Sequence, residues 1–255
     1  MSYEFICISI SDERKTHLLK QWDDLGIDKR LHFLENPATL LNSQDYFPND
    51  LKDEYLMKAI CCSRSHLRAI EYACREDASE FSVIFEDDIG VHKTQFINGI
   101  EEIISTWDTC VSPDRIASIG WVPCNNYQTY LNAPSNHTLK CILGSKILHD
   151  RYAPGLQAYI IRKKDILPFV KYLIKPTLEE LRTSLHSLHS PNLPKDDTLI
   201  ATDSFLNRIF GQAIVFPPIV IEQQFQSLIG HNNGQLYWNN FFKDYECIKN
   251  NYYSI

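Results

Sequence analysis

The chain has no stretch where lysine and arginine gather, no apolar run near the roughly 20 residues a membrane helix needs, and no cysteines at CxxC spacing. The first absence, with 25 basic against 32 acidic residues and a formal net charge of -7, excludes a nucleic-acid binder held by counterion release. An anionic ligand would therefore need a metal or a local basic pocket. The second absence leaves at most peripheral contact with a membrane. The third removes a paired-thiol zinc site, because Cys7, Cys61, Cys62, Cys74, Cys110, Cys124, Cys141 and Cys247 are scattered. The opening "MSYEFICISISDERK" enters an apolar strand at once, with no basic start and no small-residue cleavage site. A cytoplasmic location, reduced thiols and an unused "NHT" sequon at Asn136 are the expectations.

With no internal repeat and no linker, the 255 residues are expected to form one domain, 1–255, with 231–255 as a C-terminal tail. Phe5 to Ile10 reads as a strand. Leu18, Leu19, Trp22 and Leu25 recur at helical spacing up to a stop at Gly26. "RLHFLENP" reads as a short strand, "YLMKAICCSRSHLRAIEYACRED" as a long amphipathic helix, and "SVIFEDD" as a buried strand. "TQFINGIEEIISTW" is helical and "RIASIGWVP" extended, and residues 124–150 read as a long polar connection. "LQAYIIR" is a strand, followed by a helix from Lys164 toward Ile174 and a Pro, His and Ser-rich loop over 183–197. "DSFLNRIFG" is a short helix, and "AIVFPPIVIEQ" is extended and broken by two prolines. This alternation predicts an α/β fold, a mostly parallel sheet with helices on both faces.

The strand "VIF" delivers Glu86, Asp87 and Asp88 to one point. Adjacent like charges repel and lose hydration when enclosed, so such a cluster costs free energy unless a cation sits there. In an open α/β sheet the crevice beyond the strands' carboxyl ends is the ligand site. Residues i and i+2 of an extended chain share a side, so Glu86 and Asp88 are expected to face one divalent ion or its water shell while Asp87 turns elsewhere. The plainer reading is a charged strand exit, since acids are common in turns. Ser65 and His66 are adjacent on a helix and do not face each other, so a packed or capping histidine is expected rather than a nucleophile and base. Asp203 falls at a helix start, where an N-cap is the plain alternative. His231 lies in a Gly and Asn-rich turn, where an exposed histidine is the plain alternative.

In order along the chain, "CISI", "ERKTHLLKQWDDLGI", "ICCSRSHLRAI", "VIFEDD", "GLQAYII", "TDSFL" and "PPIVIEQQFQSLIG" resemble the successive blocks of glycosyltransferase family 25, the family of lipooligosaccharide and collagen galactosyltransferases. The resemblance runs from about residue 5 to about residue 231. Ile8-Ser9-Ile10 and Glu13-Arg14-Lys15 match its opening, and Ile60, Cys62, Ser65 and His66 fit its "GEIGCxLSH" block. Phe85 to Asp88 match "LEDD", Gly155 to Ile161 the Gly-x-x-(Ala/Gly)-Tyr-Ile-Ile block, and Thr202-Asp203 its Val-Asp. The last block is matched through Ser227. The chain departs at Lys58, Ala59 and Cys61, where the family has Gly, Glu and Gly.

The resemblance implies a GT-A-type (Rossmann-like) fold and a metal-dependent inverting transfer of a hexose, galactose by default, from a UDP-sugar to a hydroxyl of a glycan or protein-linked glycan. It implies Mn2+ or Mg2+ at Asp88, with Glu86 and Asp87 arranging water, ribose or the same ion, and His231 as a possible nitrogen ligand. Ser9 and Arg14 would cradle the nucleotide beside a helix N-terminus. Asp203 would be the general base. A binding protein of the same fold without turnover is the alternative, favoured by the altered 58–61 block. A phosphohydrolase fits less well, because Asp87 to Val91 lacks the register and the Thr of an Asp-x-Asp-Gly-Thr motif.

Overall fold

Strand β1 (Tyr3–Ile8) is buried along its whole length, its Tyr3, Phe5 and Cys7 facing one layer and its Glu4, Ile6 and Ile8 the other. A computed structural model of the chain describes residues 1–122, 137–139, 146–149, 155–187 and 202–223, with Tyr130, Phe241, Lys243 and Tyr252. After β1 come α1 (Asp12–Leu25), β2 (Leu31–Phe33), α2 (Glu54–Ala73), β3 (Phe81–Glu86), β4 (Ile89–Val91), α3 (Phe96–Ser105), α4 (Trp107–Cys110) and β5 (Ile116–Gly120). Then follow β6 (His137–Thr138), β7 (Lys146–Leu148), β8 (Ala158–Arg162), α5 (Lys163–Leu173), α6 (Leu178–Ser187), α7 (Thr202–Phe210), β9 (Ala213–Phe216) and β10 (Val220–Glu222).

These ten strands form one sheet in the order β2-β1-β3-β8-β5-β9-β7-β6, with β10 pairing β4 and β5. The α/β class expected from the sequence is the class observed, with helices on both faces. One face packs Phe5, Val83, Phe85 and Ile160 against α1 and α3. The other packs Ile6, Ile84, Tyr159 and Ile161 against α2, α5, α6 and α7. β1 runs parallel to β2 and β3, and β5 parallel to β9 and β10, while β8 lies antiparallel between β3 and β5. Because β8 is reversed, its first residues reach the same sheet edge as the carboxyl ends of β1, β3 and β5.

Local chemistry sets the first crossover. Ser11 caps α1, its side chain accepting from the Arg14 amide, and Gly26 ends the helix at φ 62°, a left-handed position glycine takes without a Cβ penalty. Gln21, 1% exposed, donates to the Ile89 carbonyl at 2.9 Å and accepts from the Val91 amide at 3.3 Å. Those bonds fix β4 just beyond the acidic turn. An aromatic cluster fills the layer between α1 and the sheet, with Phe5 and Trp22 ring centres 5.1 Å apart, Trp22 and Phe85 5.4 Å, and Phe5 and Phe96 5.7 Å.

Two stretches, 183–197 and 124–150, differ from the sequence expectations. The loop expected over 183–197 begins later, because α6 continues to Ser187. Leu178, Leu181 and Leu185 bury one stripe, and Thr177 accepts from the Glu180 amide at 3.2 Å as a cap. The polar connection over 124–150 contributes β6 and β7. The segment expected to be extended and broken by Pro217 and Pro218 is so, as the two strands β9 and β10. In the stretch read as a tail, the Tyr252 hydroxyl donates to the Pro218 carbonyl and its backbone bridges His92. No helix among the described residues is long and apolar enough to cross a membrane.

Phe85 lies in the aromatic cluster one residue before the acids and is fully buried. Phe85→Ala is expected to lower unfolding free energy by about 3–5 kcal/mol, the usual cost of a phenyl-sized cavity. Urea titration would show it as a lower midpoint with an unchanged slope.

Candidate functional site

Pleating of β3 divides the three acids between the layers. Ser82, Ile84 and Glu86 face the α2 side, and Val83, Phe85 and then Asp87 face the α1 side. β3 ends at Glu86 and the chain turns through Asp87 and Asp88 before β4. Hence Glu86 and Asp88 do not share a side, as an extended strand would have required. Asp87 and Asp88 meet instead on Arg14.

Arg14 comes from the first turn of α1 and is 7% exposed. Its Nη1 lies 3.2 Å from Asp87 Oδ1 and 3.1 Å from Asp88 Oδ2. The Ser9 hydroxyl, one residue past β1, donates to Asp87 Oδ2 at 2.5 Å. Both Asp87 oxygens are therefore held by residues from the β1-α1 junction. Ser9, Arg14, Asp87 and Asp88, each singled out in the sequence, are brought together.

Asp88 is not balanced in the same way. One oxygen meets Arg14, while Oδ1 is buried and accepts no hydrogen bond among the described residues. Such an orphaned acceptor costs about 1–3 kcal/mol, and more when charged. Its backbone carbonyl accepts from the Gln223 amide at 2.6 Å, so β10 pins the turn and brings Glu222 near. Burial, followed by the negative charges of Glu86 and Glu222, pushes the Asp88 carboxyl well above the usual carboxylate range, with Arg14 opposing and Asp87 adding to the rise. The cluster has more negative charge than Arg14 neutralises, and a divalent cation at Oδ1 fits both the missing partner and the missing charge.

Glu86 belongs to a second constellation. Its Oε1 lies 3.1 Å from His66 Nε2 and accepts from Cys62 Sγ at 3.4 Å. Cys62 and His66 are four residues apart on one stripe of α2. His66 is 2% exposed, and its Nδ1 lies 3.2 Å from the hydroxyl of Tyr159. Burial pushes the Glu86 carboxyl up. The hydrogen bond and charge of His66, with Cys62 and Arg14, outweigh that and hold it below its ordinary range.

The sequence expectation of a packed His66 is met, and the structure adds its partners. Ser65 points elsewhere, accepting from the Ala38 amide and donating to the Cys61 carbonyl. Lys58, in the altered block, pairs with Glu54 at 2.7 Å one turn away. Cys7, Cys61, Cys62, Cys74 and Cys110 are not joined in disulfides, and Cys124, Cys141 and Cys247 lie outside the described residues. Asp203 sits in the first turn of α7, but its side chain is outside the described residues, as is His231. Sequence reasoning missed the Glu86 triad. Its signal was the i, i+4 spacing of Cys62 and His66 on the helix leading into β3.

No protein-family profile matches the chain, and no curated protein does. Among solved structures it is similar to a glycosyltransferase involved in glycosylation of the major capsid of PBCV-1, at 12% identity over 89% of this chain and 95% of that one, with a TM-score of 0.36. It is also similar to the galactosyltransferase LgtC in complex with donor and acceptor sugar analogues, at 10% identity over 94% of each chain, with a TM-score of 0.42.

The raised pKa of Asp88 fixes the sign of a stability effect. The ionised form is disfavoured in the fold, so the Asp88 contribution is full below the unfolded value near about 3.9 and is lost as pH rises through the raised folded value. In protein stripped of cations, Asp88→Asn should therefore raise the melting temperature at neutral pH, by about 2–4 °C for each kcal/mol relieved. The gain should shrink on acidification as Asp88 itself protonates. Scanning calorimetry in EDTA at two pH values would show it, and an equal or lower melting temperature at neutral pH would contradict the charge assignment.

Proposed function

We propose that this chain is a metal-dependent, inverting glycosyltransferase of the GT-A type, resembling family 25. It would move a hexose, galactose by default, from a UDP-sugar to a hydroxyl of a glycan or protein-linked glycan. The observation that carries the reading is the buried Oδ1 of Asp88, without a hydrogen bond among the described residues and set at the carboxyl ends of parallel strands beside the N-terminus of α1. That is where an open α/β sheet binds ligands.

In this reading Asp88 would hold Mn2+ or Mg2+, and the cation would supply charge neutralisation for a departing diphosphate. Arg14 keeps Asp87 and Asp88 fixed on the crevice side, so little reorganisation is needed when charge develops. Ser9 holds Asp87 in place for ribose or ordered water. The first turn of α1 presents its N-terminal partial positive charge to an anion. Asp203, on α7, takes the acceptor hydroxyl proton as that oxygen bonds to the anomeric carbon and the bond to the diphosphate breaks. Its place in a helix first turn lowers its basicity, which acceptor desolvation would have to offset. His231 remains a candidate nitrogen ligand from the last matched block.

A panel of nucleotide sugars with Mn2+ tests this directly, by nucleotide release with and without acceptor and by the anomer of the product. Asp203→Asn is expected to lower turnover by about a hundredfold to ten-thousandfold, with donor binding and metal dependence intact. Near-normal turnover in that variant, or a product with retained configuration, would remove Asp203 as base. Donor binding with no turnover for any acceptor would favour the binding-protein alternative.

A further inference from the structure

On the α2 side of β3, Glu86 turns to two donors, Cys62 and His66, that the sugar-transfer reading does not use. Cys62 Sγ, His66 Nε2 and a Glu86 carboxylate oxygen all lie within 4.8 Å of one another. We propose that Cys62, His66 and Glu86 form a second cation site, distinct from Asp88, that takes a borderline-soft divalent ion of the Zn2+ class.

The ligand spacing supports this. Bonds of about 2.0–2.3 Å at a tetrahedral angle place a nitrogen and an oxygen about 3.4 Å apart, and a sulfur and an oxygen about 3.6 Å apart. The corresponding separations here are 3.1 Å for His66 Nε2 to Glu86 Oε1 and 3.4 Å for Cys62 Sγ to the same oxygen. Both separations to Glu86 fall within a few tenths of an ångström of those values, and the third, Cys62 Sγ to His66 Nε2, lies within 4.8 Å. Two protons that now point at Glu86 occupy the place it would take.

The ligand types select the metal. A thiolate and an imidazole suit zinc, whereas the all-oxygen environment of Asp88 suits Mn2+ or Mg2+. Cys62 and His66 project from one helix stripe and Glu86 from a strand end, so the metal would tie α2 to β3. Tyr159 completes the set from behind. Its hydroxyl oxygen, 3.2 Å from His66 Nδ1, can accept a hydrogen bond from the Nδ1 proton when Nε2 turns its lone pair to a metal, the partner a metal-bound histidine needs. Binding displaces the Cys62 thiol proton to solvent, with the His66 Nε2 proton relocated to Nδ1, so the metal exchanges for one proton when His66 is neutral. Three protein ligands leave a fourth position for water or a substrate atom. The proposal does not depend on the sugar-transfer reading, because it is read spectroscopically.

Co2+ titrated into the EDTA-treated, desalted full chain is expected to give a thiolate-to-cobalt charge-transfer band and the strong visible bands of a four-coordinate ion, both bleached by Zn2+. Asp88→Asn should keep these bands and Cys62→Ser should lose them. Tyr159→Phe should weaken cobalt affinity about tenfold to a hundredfold. In the unaltered chain, Zn2+ should protect Cys62 from iodoacetamide in peptide mapping, a readout that needs no variant to fold. Absence of the charge-transfer band, its persistence in Cys62→Ser, or full labelling of Cys62 at saturating Zn2+ would overturn the proposal.

Discussion

Arg14 is the side chain on which the site's arrangement depends. A single guanidinium nitrogen joins the first turn of α1 to two consecutive aspartates beyond β3, at 3.2 and 3.1 Å. Without it Asp87 and Asp88 would be buried side by side and repel, and the turn into β4 would have to open to water. With it the turn closes, Gln21 and Gln223 pin its far side, and β10 joins the sheet. One guanidinium is still not enough for the acids around it. The remaining deficit falls on Asp88, whose Oδ1 has no hydrogen bond among the described residues.

The same strand end separates two donor sets by its pleat. Toward α1 the donors are carboxylate oxygens with an arginine and a serine. Toward α2 they are a thiol, an imidazole and one carboxylate. Alternation in β3 accomplishes this with successive residues, and the helices on the two faces provide different partners because they come from different crossovers.

Much of this was legible in the sequence. The strand and helix alternation, the Gly26 stop and the buried approach to Glu86 follow from local periodicity and capping. Ser9, Arg14, Asp87 and Asp88 were named as neighbours of one ligand, and they are neighbours in space. What was not legible depends on long-range pairing. The sequence of β8 does not show that it runs antiparallel, since a buried strand is apolar in either direction. The i and i+2 rule failed at Glu86 and Asp88 because the chain leaves the strand at that point, and periodicity cannot locate a turn to the residue. α6 was hidden by a polar, histidine-rich composition, although Leu178, Leu181 and Leu185 carried its stripe. The Glu86 triad needed knowledge of which helix face lies over β3.

If the deficit at Asp88 is the seat of a metal-diphosphate complex, the cation and the nucleotide must bind as one unit. Calorimetric titration of Mn2+ into the full chain, with and without UDP, measures this most directly. The account predicts that UDP tightens Mn2+ binding and that Mn2+ tightens UDP binding by the same factor, as linkage requires, with the coupling lost in Asp88→Asn. Mn2+ affinity that is equal in the unaltered chain and in Asp88→Asn, or UDP binding indifferent to Mn2+, would contradict it.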